Sequence, residues 1–183
     1  MSQNGESYDD NFNGIRLLTV GRLRKEKGYN IIPDIVERLI HNGYEIKWYC
    51  IGDGNLKETL KNKINEKGLQ ESVILLGEKS NPYTYIKDCD IYVQPSIYEG
   101  YCISLSEAKI FNKPIVATNF LGAKEQLIDK KTGFIVNYNE EELFNAIKNL
   151  IDDKCLCKYF IENLTEQSYV NQDINKVFKE LYI

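Results

Sequence analysis

Two glutamates, Glu99 and Glu107, stand eight positions apart in the stretch PSIYEGYCISLSEA, residues 95–108. An ionised carboxylate accepts two hydrogen bonds side by side, which matches a pair of vicinal hydroxyls. Ser104-x-x-Glu107 also reads as a capping box, serine capping a helix and the glutamate reaching back. That reading accounts for Glu107 and leaves Glu99, in the loop before the helix, unexplained. Gly100 and the amides of Tyr101 and Cys102 lead into the helix N-terminus, where unpaired N–H groups and the helix dipole favour anions and sugar oxygens. A second cluster, Arg22, Arg24, Lys25 and Lys27, precedes Gly28 in the loop GRLRKEKG. A guanidinium offers a planar fork to phosphate oxygens and a lysine a mobile point charge. A solvated basic turn is the plain alternative for that loop taken by itself. Taken together, two carboxylates for two diols and basic side chains for a diphosphate describe a nucleotide sugar.

The elements that must position these residues follow from hydrophobic pattern. Apolar runs at Ile15–Val20, Ile46–Ile51, Val73–Leu76, Ile91–Gln94, Pro114–Thr118 and Phe134–Val136 read as strands. Their continuous apolar character suits a sheet covered on both faces. Helical patterns lie between them, at Asn30–His41, Leu56–Lys67, Tyr83–Asp88, Ser104–Asn112, Ala123–Ile128 and Glu140–Ile151. Two more helices are expected near Lys154–Asn163 and Gln172–Leu181. Alternating strands and helices predict an α/β domain, a Rossmann-like three-layer sandwich with a six-stranded, mostly parallel sheet. In such sheets ligands bind beyond the carboxyl ends of the strands, where strand order reverses. Both clusters fall in loops at that end. Residues 1–14 read as a flexible lead-in or linker and 15–166 as the ligand-binding domain.

Competing chemistries fit poorly. Gly52-Asp53-Gly54 starts a dinucleotide fingerprint, but Lys57 holds the third glycine position, and no Walker loop is present. Cys155-x-Cys157 lacks partners for a metal site. His41 closes a helical stretch, where the dipole favours it. Asp88-Cys89-Asp90 lies at the start of a strand, the wrong end for a metal pair. Five cysteines in no regular framework indicate reduced thiols and a cytoplasmic setting. A net charge of −4 over 183 residues gives no global attraction to nucleic acid or anionic membrane. No apolar run is long enough to span a bilayer.

The ordered segments VGRLRKEKG (20–28), IGDGNLKETL (51–60), VILLG (73–77), DCDIYVQPSIYEG (88–100), SEAKIFNKPIVAT (106–118) and TGFIV (132–136) resemble the C-terminal, donor-binding domain of retaining glycosyltransferases of family 4. These enzymes have the two-domain GT-B fold. The resemblance implies that Arg22 and Lys27 bind the donor diphosphate. It assigns Glu107 to the ribose hydroxyls and Glu99 to the donor sugar. Gly100, Tyr101, Cys102 and Ile103 supply amides to sugar and phosphate. Glu78 and Lys79 border the base. Two positions depart from the family pattern: Cys102 replaces glycine and Ser104 replaces proline. A Cβ at 102 is expected to crowd the sugar pocket or change its shape. The loop 119–123 also lacks paired glycines.

The implied reaction moves a hexose from a nucleoside diphosphate, UDP or GDP, to an acceptor hydroxyl with retained configuration. No metal is expected, because Arg22, Lys27 and the helix N-terminus meet the charge that grows on the diphosphate. The acceptor, a glycan or a lipid-linked sugar of a polysaccharide pathway, would bind mostly to an N-terminal domain preceding this chain. Residues 167–183 resemble the family's closing helix, which packs toward that domain. The alternatives are a non-catalytic, glycosyltransferase-like partner subunit and a sugar epimerase of the same fold.

Overall fold

The computed structural model describes residues 7, 8 and 10–181, with side chains through residue 167. Six strands, β1 (Ile15–Val20), β2 (Ile46–Ile51), β3 (Val73–Gly77), β4 (Ile91–Gln94), β5 (Ile115–Thr118) and β6 (Phe134–Val136), form one sheet in the order β3-β2-β1-β4-β5-β6. Every neighbouring pair is parallel. The chain winds outward from β1 to β3, then returns to lay β4 on the other side of β1. Strand order therefore reverses between β1 and β4, and their carboxyl-end loops flank a crevice.

Alternation along the strands feeds two cores. Leu17, Trp48, Cys50, Ile91 and Val93 face the helices α1 (Ile32–His41), α2 (Lys57–Glu66), α6 (Glu140–Asp152) and α7 (Lys154–Leu181). Leu18, Tyr49, Ile51, Tyr92, Ile115 and Ala117 face α3 (Tyr83–Asp88), α4 (Ile103–Ile110) and α5 (Leu121–Gln126). Burying each large aliphatic side chain contributes about 1.5–3 kcal/mol. The sheet's polar interior is paired: the Trp48 indole donates to Thr19 Oγ1 at 3.0 Å, and Thr19 donates to the Val93 carbonyl at 2.7 Å. In α1, Ile32, Ile35, Val36 and Leu39 make one buried stripe, and Pro33 in the first turn removes an amide that would lack a partner there.

Three expectations need correction. The predicted pair of C-terminal helices is one continuous 28-residue helix, α7. Nothing in Lys154–Leu181 is glycine or proline, so the polar stretch around 164–171 does not break it. Beyond Gln167, the packing expected of 167–183 rests on side chains outside those described. The lead-in is also tied down over its described residues. The Tyr8 hydroxyl donates to the Tyr85 carbonyl at 2.9 Å and its ring lies 4.4 Å from that of Tyr49. Asp10 accepts from Arg16 and Lys47, each at 2.9 Å, and from Tyr49. Finally, Ser104 caps nothing. Helix α4 begins one residue earlier with Cys102 at the N-cap, and the Ser104 hydroxyl donates instead to the Val20 carbonyl at 3.0 Å.

Candidate functional site

The loop after β1 is clamped from both sides. Toward β2, the Leu23 amide donates to the Asp53 carbonyl and the Leu56 amide to the Leu23 carbonyl, both at 3.0 Å. Toward β4, the amides of Ile97 and Tyr98 donate to the Glu26 carbonyl at 2.8 and 3.3 Å. Short 3-10 turns at Lys25–Lys27 and Tyr29–Ile31 take up the chain between. Gly28 makes the second clamp possible. Its φ is 72°, and a Cβ there would sit 1.7 Å from the Pro95 carbonyl oxygen. The backbones of the two loops thus meet at Gly28.

That contact brings the basic and acidic clusters together. Lys27 and Glu99 form an ion pair across the crevice, with side chains 18% and 14% exposed. The stem of Lys27 runs past Gly21, where a Cβ would lie 3.7 Å from it, one residue from Arg22. Arg22 makes no ion pair with any described residue. It lines an open cleft of about 850 Å³ with Arg24, Lys25, Asp53, Asn55 and Glu78. Free cationic groups and an engaged one therefore border the same end of the sheet.

The helix N-terminus completes the crevice. The amides of Gly100, Tyr101, Cys102 and Ile103 donate to no described residue and open α4, whose dipole favours negative charge at this end. Buried Gln126 of α5 holds the segment: its Nε2 donates to the Cys102 carbonyl at 3.2 Å, and its Oε1 accepts from Ser106 at 2.7 Å. Gly122 allows α5 to come this close, since a Cβ there would lie 1.9 Å from the Gly100 carbonyl oxygen. Thus the single glycine of loop 119–123 already serves the approach. Tyr101 and Ile103 are exposed beside it.

Cys102 does not crowd the pocket as expected. Its side chain is fully buried in the core beneath α4, with Leu105 and Tyr92 in the same cluster. Burial pushes the thiol up to about 11, against the opposing hydrogen bond of Ser104.

The other assigned residues are more dispersed. Glu107 stands a full turn into α4, near the Tyr83 hydroxyl of α3, and its carboxylate raises that phenol's pKa. Lys79 borders a different cleft, of about 670 Å³, with Tyr8, Asp10, Lys47, Tyr49 and Tyr85. Its ammonium lies 5.8 Å from the Tyr85 ring centroid. Glu78, its neighbour in sequence, borders the Arg22 cleft instead. The structure thus pairs Lys27 with Glu99, puts Arg22 and Glu78 on the rim of one cleft, and leaves Glu107 and Lys79 apart. Among the described residues, no three His, Cys, Asp or Glu side chains converge as metal ligands would. No described helix is long and apolar enough to cross a membrane.

Sequence reasoning missed Ser96, Gln126 and Tyr83, which neighbour Glu99, Cys102 and Glu107, and Gln94, which stands behind Ser96. A glutamine closing an apolar strand, followed two residues later by serine, was the available signal for Gln94 and Ser96.

Known proteins match at several levels. The chain is 33% identical over 146 residues to an N-acetylgalactosamine-N,N'-diacetylbacillosaminyl-diphospho-undecaprenol 4-alpha-N-acetylgalactosaminyltransferase of Campylobacter jejuni, covering 79% of this chain and 39% of that protein. It is 25% identical over 169 residues to a poly(ribitol-phosphate) alpha-N-acetylglucosaminyltransferase of Staphylococcus aureus, covering 89% and 34%. The chain therefore spans well under half the length of these relatives. In fold, it superposes on the C-terminal domain of a group 1 family glycosyl transferase from Francisella tularensis with a TM-score of 0.71 and 22% identity, covering 84% of this chain and 85% of that one. It superposes on Anabaena HepE, solved with UDP, with a TM-score of 0.77 and 23% identity, covering 92% and 49%. The fold is the Rossmann-like α/β fold shared with the GT-B glycosyltransferases among these neighbours. The family model of the glycosyl transferases group 1 matches residues 6–167, and the chain belongs to that family.

Proposed function

We propose that this chain is the donor-binding domain of a retaining glycosyltransferase of family 4, and that its crevice takes a hexose linked to UDP or GDP. Arg22, Lys27 and the amides of 100–103 hold the diphosphate. Glu107 receives the ribose hydroxyls and Glu99 the sugar hydroxyls, while Glu78 and Lys79 lie along the base. The acceptor, a glycan or a lipid-linked sugar, is bound by another part of the whole protein. The observation that carries this reading is the Lys27–Glu99 pair, one cation and one carboxylate held face to face where strand order reverses. The names of the relatives, transferases of N-acetylhexosamines, support the substrate class.

As the glycosidic bond breaks, negative charge grows on the diphosphate. Arg22 has no ion-pair partner among the described residues, so it can turn to that charge without breaking a contact. Lys27 must divide itself between Glu99 and phosphate. Donors held ready for developing charge contribute about 3–4 kcal/mol each. The reading asks for no metal. The test is transfer of labelled hexose by the whole protein, with the product's anomeric configuration read by NMR. An α-linked donor giving an α-linked product, undiminished by EDTA, is the expected result. An inverted product, or activity lost to the chelator and restored by a divalent cation, contradicts it.

A further inference from the structure

Behind Glu99 runs a chain of buried hydrogen bonds with no direct part in holding the donor. The Tyr92 hydroxyl donates to Gln94 Oε1 at 2.8 Å, Gln94 Nε2 donates to Ser96 Oγ at 2.9 Å, and the Ser96 hydroxyl donates to Glu99 Oε2 at 3.0 Å. All three donor residues are fully buried or nearly so. Strand periodicity puts Tyr92 and Gln94 on one face of β4, and Ser96 continues that side into the loop. The donors point one way and end on a carboxylate, so each bond polarises the next.

The frame around the chain is fixed as well. The Thr118 hydroxyl of β5 donates to the carbonyls of both Gln94 and Ser96. On the other flank, the amides of Ile97 and Tyr98 are held by Glu26. With Oε2 engaged from below, Oε1 is the oxygen that meets Lys27. An apolar strand end would fill this space without desolvating an amide and two hydroxyls, so stability alone does not call for the chain. What it adds is the direction in which the carboxylate faces.

We propose that Tyr92, Gln94 and Ser96 are positioning residues that fix the Glu99 carboxylate, and that through it they set how strongly the crevice prefers a nucleotide carrying a sugar over one without. This rests on the assignment of Glu99 to the donor sugar. Ser96 reaches the site through Glu99 alone, so its loss leaves the ribose contacts in place and changes the diphosphate contacts only as far as Lys27 follows Glu99.

Calorimetric titration of the 183-residue chain tests this, using UDP, GDP, UDP-glucose, UDP-N-acetylglucosamine and GDP-mannose. Ser96→Ala is expected to leave the affinity for the bare nucleotide within about twofold and to weaken the best sugar conjugate about tenfold, one hydrogen bond's worth. Tyr92→Phe, which removes one oxygen from a buried ring, moves the same ratio about threefold and carries the test where Ser96→Ala fails to fold. In a Glu99→Ala background, Ser96→Ala adds no further change to the ratio. A general structural defect weakens both ligands alike. That outcome, or an unchanged ratio in both single variants, overturns the inference. A wild-type chain that binds none of the five ligands overturns the nucleotide-sugar reading itself, and the inference with it.

Discussion

Glu99 and Glu107 carry the same group and lie eight residues apart, yet the fold treats them differently. Glu99 sits in a loop and is nonetheless the better held. Lys27 meets one oxygen and Ser96 the other, and its side chain is only 14% exposed. Glu107 sits on a regular helix, and the partner it meets, Tyr83, is itself 47% exposed. Regular secondary structure therefore does not decide which site residue is rigid here. The number of elements converging on the side chain does. Glu99 is fixed by the β1 loop, the β4 loop and the polar chain beneath them, whereas Glu107 leans on one neighbouring helix. A carboxylate held this way suits discrimination between sugars. One held loosely suits a ribose shared by every donor.

The comparison can be broken at several points. Lys27→Ala removes the partner of Glu99 and, on the proposed reading, a cation of the diphosphate site. It is expected to lower kcat of the whole transferase by about 10²–10³-fold in steady-state assays. Gly28→Ala attacks the clamp that brings the loops together. The added Cβ meets the Pro95 carbonyl and the φ of 72° disfavours any L side chain, so unfolding in urea should show a loss of about 2–4 kcal/mol. An unchanged midpoint would mean that the loops do not meet there. Glu107→Gln keeps the shape and removes the charge. It should weaken bare UDP or GDP about five- to tenfold, alike for every sugar conjugate. A change in sugar preference would reverse the roles of the two glutamates.

The smallest effect concerns pH. The nearby Glu107 carboxylate holds the Tyr83 phenol's pKa above its ordinary value. The stabilising contact is present below the unfolded tyrosine pKa, near 10, and is lost as pH rises through the higher folded value. Ultraviolet titration should show one tyrosine ionising earlier in Glu107→Gln than in the wild type. Identical curves would mean that the two side chains do not meet.

Much of this arrangement was legible in sequence, because it depends on local pattern. The six strands fall within a residue of their apolar runs. β3 extends to Gly77, and β5 starts after Pro114, which has no amide to donate to a ladder. The crevice followed from the alternation of strands and helices, which fixed the end of the sheet where both clusters lie. What could not be read were contacts made across the fold. Ser104 and Glu107 have capping-box spacing, but Ser104 finds the Val20 carbonyl from another strand, and tertiary pairing overrides the local motif. Cys102 looked like an obstruction because its side-chain direction depends on where α4 starts. The path from Tyr92 to Glu99 has no signature beyond two polar residues closing a strand. Tyr8 and Asp10 sit in a stretch as polar as any linker, and only their contacts with Arg16 of β1, Lys47 and Tyr49 of β2 and Tyr85 of α3 explain why they are held.

The most direct test of the central claim, that the crevice between the β1 loop and the start of α4 is a diphosphate site, is a titration of the ¹⁵N-labelled chain with UDP and GDP to millimolar concentration. The account predicts saturable shifts in the amides of residues 21–28 and 100–104, lost in Lys27→Ala. Shifts confined to the cleft around Tyr8, Tyr49 and Lys79, or no saturable shift with either nucleotide, would contradict it.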